Sequence, residues 1–138
     1  MRPRGVHHAG FVVSDLEAST AFYQRMFGAA PVLRVDAERA SLVFLDFGNT
    51  LVELLAYHAG EGGPVPHEAK LGAGHFALLV DDVADAQARL EARGVVFAGP
   101  ALHVPDGPSQ GYVLTFALDP DGNRVELVQL PPADARQP

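Results

Sequence analysis

Two histidines and two glutamates occupy matching settings along this chain. His8 opens HAGFVVSDLEAST and His75 opens HFALLVDDVADAQ, each leading through an Asp into a helical pattern. Glu53 lies in GNTLVELLA and Glu126 in GNRVELVQL, each inside an apolar stretch that follows Gly-Asn. A carboxylate within such a strand is costly to bury unless a cation or hydrogen-bond donors meet it, and both halves place one at the same point. If the halves are related by approximate two-fold symmetry, the four side chains converge on one point. Two neutral imidazoles and two carboxylates neutralise a divalent cation and leave one or two positions open for substrate oxygens, which suits Lewis-acid chemistry. The chain has no cysteine, so any metal is held by nitrogen and oxygen; such a set admits Zn, Ni, Co, Mn or Fe.

The elements that must position these groups follow from periodicity and punctuation. His7–Val13 reads as a strand. Ser14 and Glu17 stand at capping-box spacing before a helical pattern that Gly28 stops, and Asp15 suits the same helix start. Pro31–Val35, Ser41–Phe47 and Thr50–Tyr57 read as strands, the last two joined across Gly48-Asn49. The pattern restarts with a strand at His75–Val80 and a helix capped by Asp82, running to Arg93 before Gly94. Strands at Val95–Ala98, Tyr112–Leu118 and Arg124–Leu130 follow, the last two joined by the turn Asp119-Pro-Asp-Gly.

Each half is thus β-α-β-β-β. The expectation is a single domain over residues 1–138, with one module at about 6–59, a Gly- and Pro-rich linker at 60–73, a second module at about 74–131 and a frayed tail at 132–138. Alternation along a strand puts Glu53 and Leu55 on one side and Val52 and Leu54 on the other, and it puts His7 on the face opposite His8. His58 and His67 read as solvated. The long loop Gly99–Gln110 has the size of a lid or substrate clamp.

Net charge is −7 with no block of Lys or Arg, which argues against nucleic acid. No apolar run approaches the ~20 residues of a membrane span, and the first residues lack a signal-peptide apolar core. The expectation is a soluble, cytoplasmic protein with a small-molecule substrate.

The segments HHAGFVVSDLEASTAFYQRMFG, TLVELLAY, GHFALLVDDVADAQARLEARG and DPDGNRVELVQ together resemble the vicinal oxygen chelate superfamily. That superfamily includes glyoxalase I, methylmalonyl-CoA epimerase, extradiol dioxygenases and bleomycin-resistance proteins. The resemblance implies an α+β fold of two tandem βαβββ modules forming a curved mixed sheet around a metal-binding cleft. It implies one divalent metal ion on His8, Glu53, His75 and Glu126. It also implies a homodimer, with His8 and Glu53 from one chain and His75 and Glu126 from the other. The complete ligand set is most similar to that of glyoxalase I-like lyases and isomerases, which act on a carbonyl substrate through an enediolate while Glu126 or Glu53 moves the proton. Tyr112, His103 and Tyr57 are the expected substrate contacts. Bacterial glyoxalase I usually carries Arg and Asn at the positions of Val12 and Tyr57, so the glutathione-binding residues are not matched. The alternatives are an epimerase-like isomerase, an extradiol-type Fe(II) dioxygenase, and a non-enzymatic binder of an antibiotic or other ligand. For the epimerase, Ser41 and Leu42 stand nearest the expected acid, with Glu38 the substitute.

Overall fold

The computed structural model describes residues 1–59 and 74–132. The expected linker, with His67, and the tail beyond Pro132 lie outside the described residues. The chain divides into two compact units, Met1–Val65 and Pro66–Pro138.

The first unit runs β1 (His8–Val12), α1 (Leu16–Phe27), β2 (Ala30–Asp36), β3 (Ala40–Asp46) and β4 (Leu51–Tyr57). Its sheet has the order β1-β4-β3-β2, with β1 parallel to β4 and the other pairs antiparallel. The second unit runs β5 (His75–Leu79), α2 (Val83–Glu91), β6 (Val96–Phe97), β7 (Leu102–His103), β8 (Val113–Leu118) and β9 (Arg124–Gln129). Its order is β5-β9-β8-β6, with β5 parallel to β9 and β7 also paired to β8. The mixed α+β class holds, as two open sheets with one helix each.

Each helix is fastened at its ends by side chains the sequence supplies. Asp15, not Ser14, caps α1: its carboxylate accepts from the Ala18 amide at 2.9 Å. The helix begins at Leu16, so the amide facing the cap is that of Ala18, and the Ser14–Glu17 spacing is one residue out of step. Gly28 ends α1 in the left-handed conformation, φ +70°, where a side chain would be strained. Asp82 caps α2 through the Asp85 amide at 2.8 Å. This helix stops at Glu91 rather than Arg93. Arg93 and Gly94 bond back to Leu90 and Glu91 at three-residue spacing, tightening the last turn out of the α-helix.

One face of each sheet is the core. Leu16, Ser19 and Tyr23 of α1 are buried with Val43, Leu45, Val52 and Leu54, which alternate along β3 and β4. Val83 and Leu90 of α2 are buried with Thr115, Ala117, Val125 and Leu127 of β8 and β9. Fully burying a Leu or Val side chain stabilises by about 1.5–3 kcal/mol, so this alternation fixes which residues must face outward. Arg34 ties β2 to α1 by hydrogen bonds to Asp36 and Glu17. The Arg34 bonds, reinforced by Ser41, hold the exposed Asp36 carboxyl below the usual carboxylate range.

The opposite face of each sheet has no helix of its own unit on it. On the first it carries Val12, Leu33, Val35 and Tyr57, and on the second Leu79, Val96 and Leu102, all exposed. Among the described residues, no helix is long and apolar enough to cross a membrane.

Candidate metal centre

The four expected ligands, His8, Glu53, His75 and Glu126, all lie on these open faces. In the first unit Gly10, Glu53 and Phe44 form one row across β1, β4 and β3. His8, two residues before Gly10, therefore projects to the same side as Glu53. Its Nε2 stands 3.6 Å from Glu53 Oε2, and its ring meets Phe44 edge to face, with centroids 5.2 Å apart at 83°. The second unit repeats the arrangement in every part. Ala77, Glu126 and Phe116 form the row, His75 Nε2 stands 3.0 Å from Glu126 Oε2, and the His75 ring meets Phe116 at 5.4 Å and 83°.

Burial explains why the carboxylates stay in place. Glu53 and Glu126 retain 18% and 15% of their side-chain exposure, while the imidazoles beside them retain 36% and 46%. Both glutamates sit on inner strands, with β1 and β3 flanking β4 and with β5 and β8 flanking β9. The carboxylates are thus anchored low on the sheet, and the more open histidines stand over them.

These pairs fit a divalent cation. Ligands about 2.1 Å from one ion and at right angles to each other lie about 3 Å apart, close to the His75–Glu126 separation. Nitrogen with carboxylate oxygen is a donor set for Zn, Ni, Co, Mn or Fe. Each unit carries one such pair. Among the described residues, no group of three or more His, Cys, Asp or Glu gathers at one point.

The neighbours of these pairs differ from expectation in several ways. His7 does not turn away from His8: the two Nδ1 atoms are 2.9 Å apart, and the His7 ring also lies 6.2 Å from Phe44. His7 precedes β1, so the alternation of the strand does not govern it. His58 is exposed, as expected, and is also hydrogen-bonded, its Nδ1 donating to the Glu38 carbonyl and its Nε2 facing Ser41 Oγ, each at 3.1 Å. Ser41 pairs with Ala56 and so lies on the face opposite Glu53.

The expected substrate contacts scatter. Tyr57 is on the Glu53 face, but at the far end of β4. Tyr112 lies just before β8, four residues from Phe116. His103 pairs with Val113, whereas Leu102 pairs with Leu114. Register thus turns His103 to the face opposite Glu126 and presents Leu102 instead.

The loop Gly99–Gln110 is partly built structure, since Leu102–His103 pairs with β8 and Val104 donates to the Tyr112 carbonyl. Between β6 and β7 the outer edge opens into a cavity of about 460 Å³, lined by His75, Gly99, Pro100, Leu102, Phe116 and Arg124 among others. Arg124 is the register partner of His75. Strand alternation placed it on the Glu126 face, a signal available from GNRVELVQL alone.

Comparison with known proteins agrees with this architecture. The sequence model of the Glyoxalase/Bleomycin resistance protein/Dioxygenase superfamily matches residues 5–127, and the chain belongs to that superfamily. It is 34% identical to lactoylglutathione lyase GLX1 of Arabidopsis thaliana over 133 residues, covering 91% of this chain and 44% of that protein. The chain therefore spans less than half the length of that plant relative. It is 30% identical to the lactoylglutathione lyase of Salmonella typhimurium over 125 residues, covering 88% of this chain and 90% of that protein. The crystal structure of glyoxalase I from Zea mays matches with a TM-score of 0.72 at 30% identity, covering 88% of this chain and 43% of that one. A glyoxylase/bleomycin resistance protein/dioxygenase domain from Frankia shares the fold with a TM-score of 0.77 at 21% identity, covering 95% of each chain.

Proposed function

We propose that this protein is a metal-dependent, glyoxalase-like lyase or isomerase acting on a small carbonyl compound. The observation that carries the reading is the repeated trio: imidazole, carboxylate and supporting phenyl ring, set at matching register positions in the two sheets with similar geometry. Relatives named lactoylglutathione lyase support the reaction class.

His8, Glu53, His75 and Glu126 would hold one divalent ion, each unit giving two donors. When bound, that ion supplies Lewis acidity, polarising a carbonyl oxygen and lowering the cost of the enediolate charge. The chain supplies the rest. The glutamates act as general bases toward the carbon next to the carbonyl, Glu126 first and Glu53 as its counterpart, a role that typically contributes ~10²–10⁴-fold. The apolar residues on the open faces exclude water from the reacting carbon. The cavity beside His75 accepts the body of the substrate, with Arg124 at its rim. A homodimer belongs to the same proposal, with His8 and Glu53 from one chain meeting His75 and Glu126 from the other; the exposed Val12, Leu33, Leu79 and Val96 give it apolar surface to bury. A cytoplasmic setting belongs to it as well.

Elemental analysis of purified protein is the test, followed by activity assays across Zn, Ni, Co, Mn and Fe. The substrates are the hemithioacetal of methylglyoxal with glutathione and a set of thiol-free hydroxycarbonyl and acyl-CoA compounds. The expected result is stoichiometric metal and turnover of at least one carbonyl substrate without dioxygen. Metal-free protein that no divalent ion activates would sink the proposal.

A further inference from the structure

Resting on the metal reading above, we infer that His7 is a positioning residue that fixes the tautomer of His8. The two Nδ1 atoms are 2.9 Å apart, so one of them carries a hydrogen and the other accepts it. His8 Nε2 faces Glu53, and an imidazole that offers Nε2 to a cation must carry its hydrogen on Nδ1. With a cation on Nε2, His8 Nδ1–H therefore donates to His7 Nδ1, which requires His7 to carry its own hydrogen on Nε2. Phe44 limits the freedom of both rings, with centroids 5.2 Å from His8 and 6.2 Å from His7. Among the described residues the second unit has no equivalent at this position, because the residue before His75 is Gly74. The device belongs to the first unit alone, where the imidazole–carboxylate gap is the wider of the two.

The experiment measures zinc affinity by competition with a chromophoric chelator in the wild type, His7→Ala, His7→Asn and His8→Ala. It also records the His7 tautomer in the zinc-bound proteins by long-range nitrogen–proton NMR. Removing a partner of this kind typically weakens metal binding 10–100-fold, and that is the loss expected for His7→Ala. In the zinc-bound wild type His7 should carry its hydrogen on Nε2 alone. Asn places a carbonyl oxygen near the position of Nδ1, so His7→Asn should recover most of the affinity. Wild-type affinity in His7→Ala would overturn the inference. So would a loss as deep as that of His8→Ala, since His7 would then be a ligand itself. If the wild type binds no zinc, the metal reading fails; a zinc-bound wild type with the His7 hydrogen on Nδ1 overturns the inference alone.

Discussion

In the first unit the outer strand β2 is one strand from Ala30 to Asp36, with a register shift between Pro31 and Leu33; in the second the same place is shared by β6 and β7, with Ala98–Ala101 between them. The inner rows do not register this difference. His8, Glu53 and Phe44 are arranged almost as His75, Glu126 and Phe116 are. The donor geometry is set by the two inner strands and the parallel strand beside them, so the outer strand is free to break and open a cavity next to His75. The side chains common to both units sit in the middle of each sheet, and what distinguishes the units sits at the rim. There Arg124 in the second unit replaces Leu51 in the first, each two residues before the glutamate.

The sharpest challenge to this pairing is to disable each carboxylate in turn. Glu126→Gln should lower kcat by ~10²–10⁴-fold. An equal loss in Glu53→Gln would make the two units catalytic equals, whereas a loss confined to metal affinity would leave Glu53 a ligand only; steady-state kinetics beside metal titration separates the two.

A middle-sized contrast lies at the turns that precede β4 and β9. Asp119 is almost fully buried, and its carboxylate accepts from the amides of Asp121 and Asn123 and from the Asn123 side chain. Asp46, exposed, accepts from the Gly48 amide. Stranding buried donors costs about 1–3 kcal/mol, so Asp119→Ala should lower Tm clearly. Asp46→Ala should cost under about 1 kcal/mol. Comparable shifts in a thermal melt would show that burial does not distinguish the turns.

The smallest effect is expected at Gly10, which faces Glu53 where Ala77 faces Glu126. A Cβ at Gly10 would meet Glu53 Oε2 at 3.1 Å, a contact with the free end of a side chain that can yield. Gly10→Ala should therefore gain the usual strand benefit of roughly 0.5–1 kcal/mol. It should also bring the two imidazole–carboxylate gaps closer to one value. A crystal structure of the variant with an unmoved Glu53 and a lowered Tm would contradict this.

Much of each unit could be read from the chain because two periods dominate it. Alternation along VELL and RVELV forced the glutamates to the face away from the core, and Gly28 and Asp82 punctuated the helices where backbone geometry demanded. Failures came where a residue lay just outside a periodic element. His7 precedes β1, so parity said nothing valid about it. Leu102–His103 is too short to show alternation, and the Pro- and Gly-rich run around it hides its pairing with β8. Ser14 and Asp15 both suit a helix start, and the choice between them turns on a single residue of register.

The placement of His8 and His75 on β1 and β5 has a dynamic consequence. Within its unit each of these strands is hydrogen-bonded along one edge only, whereas β4 and β9 are bonded along both. Outer strands open at lower free energy than inner ones. Local opening of an outer strand would therefore separate His8 from Glu53, or His75 from Glu126, before the inner strands part.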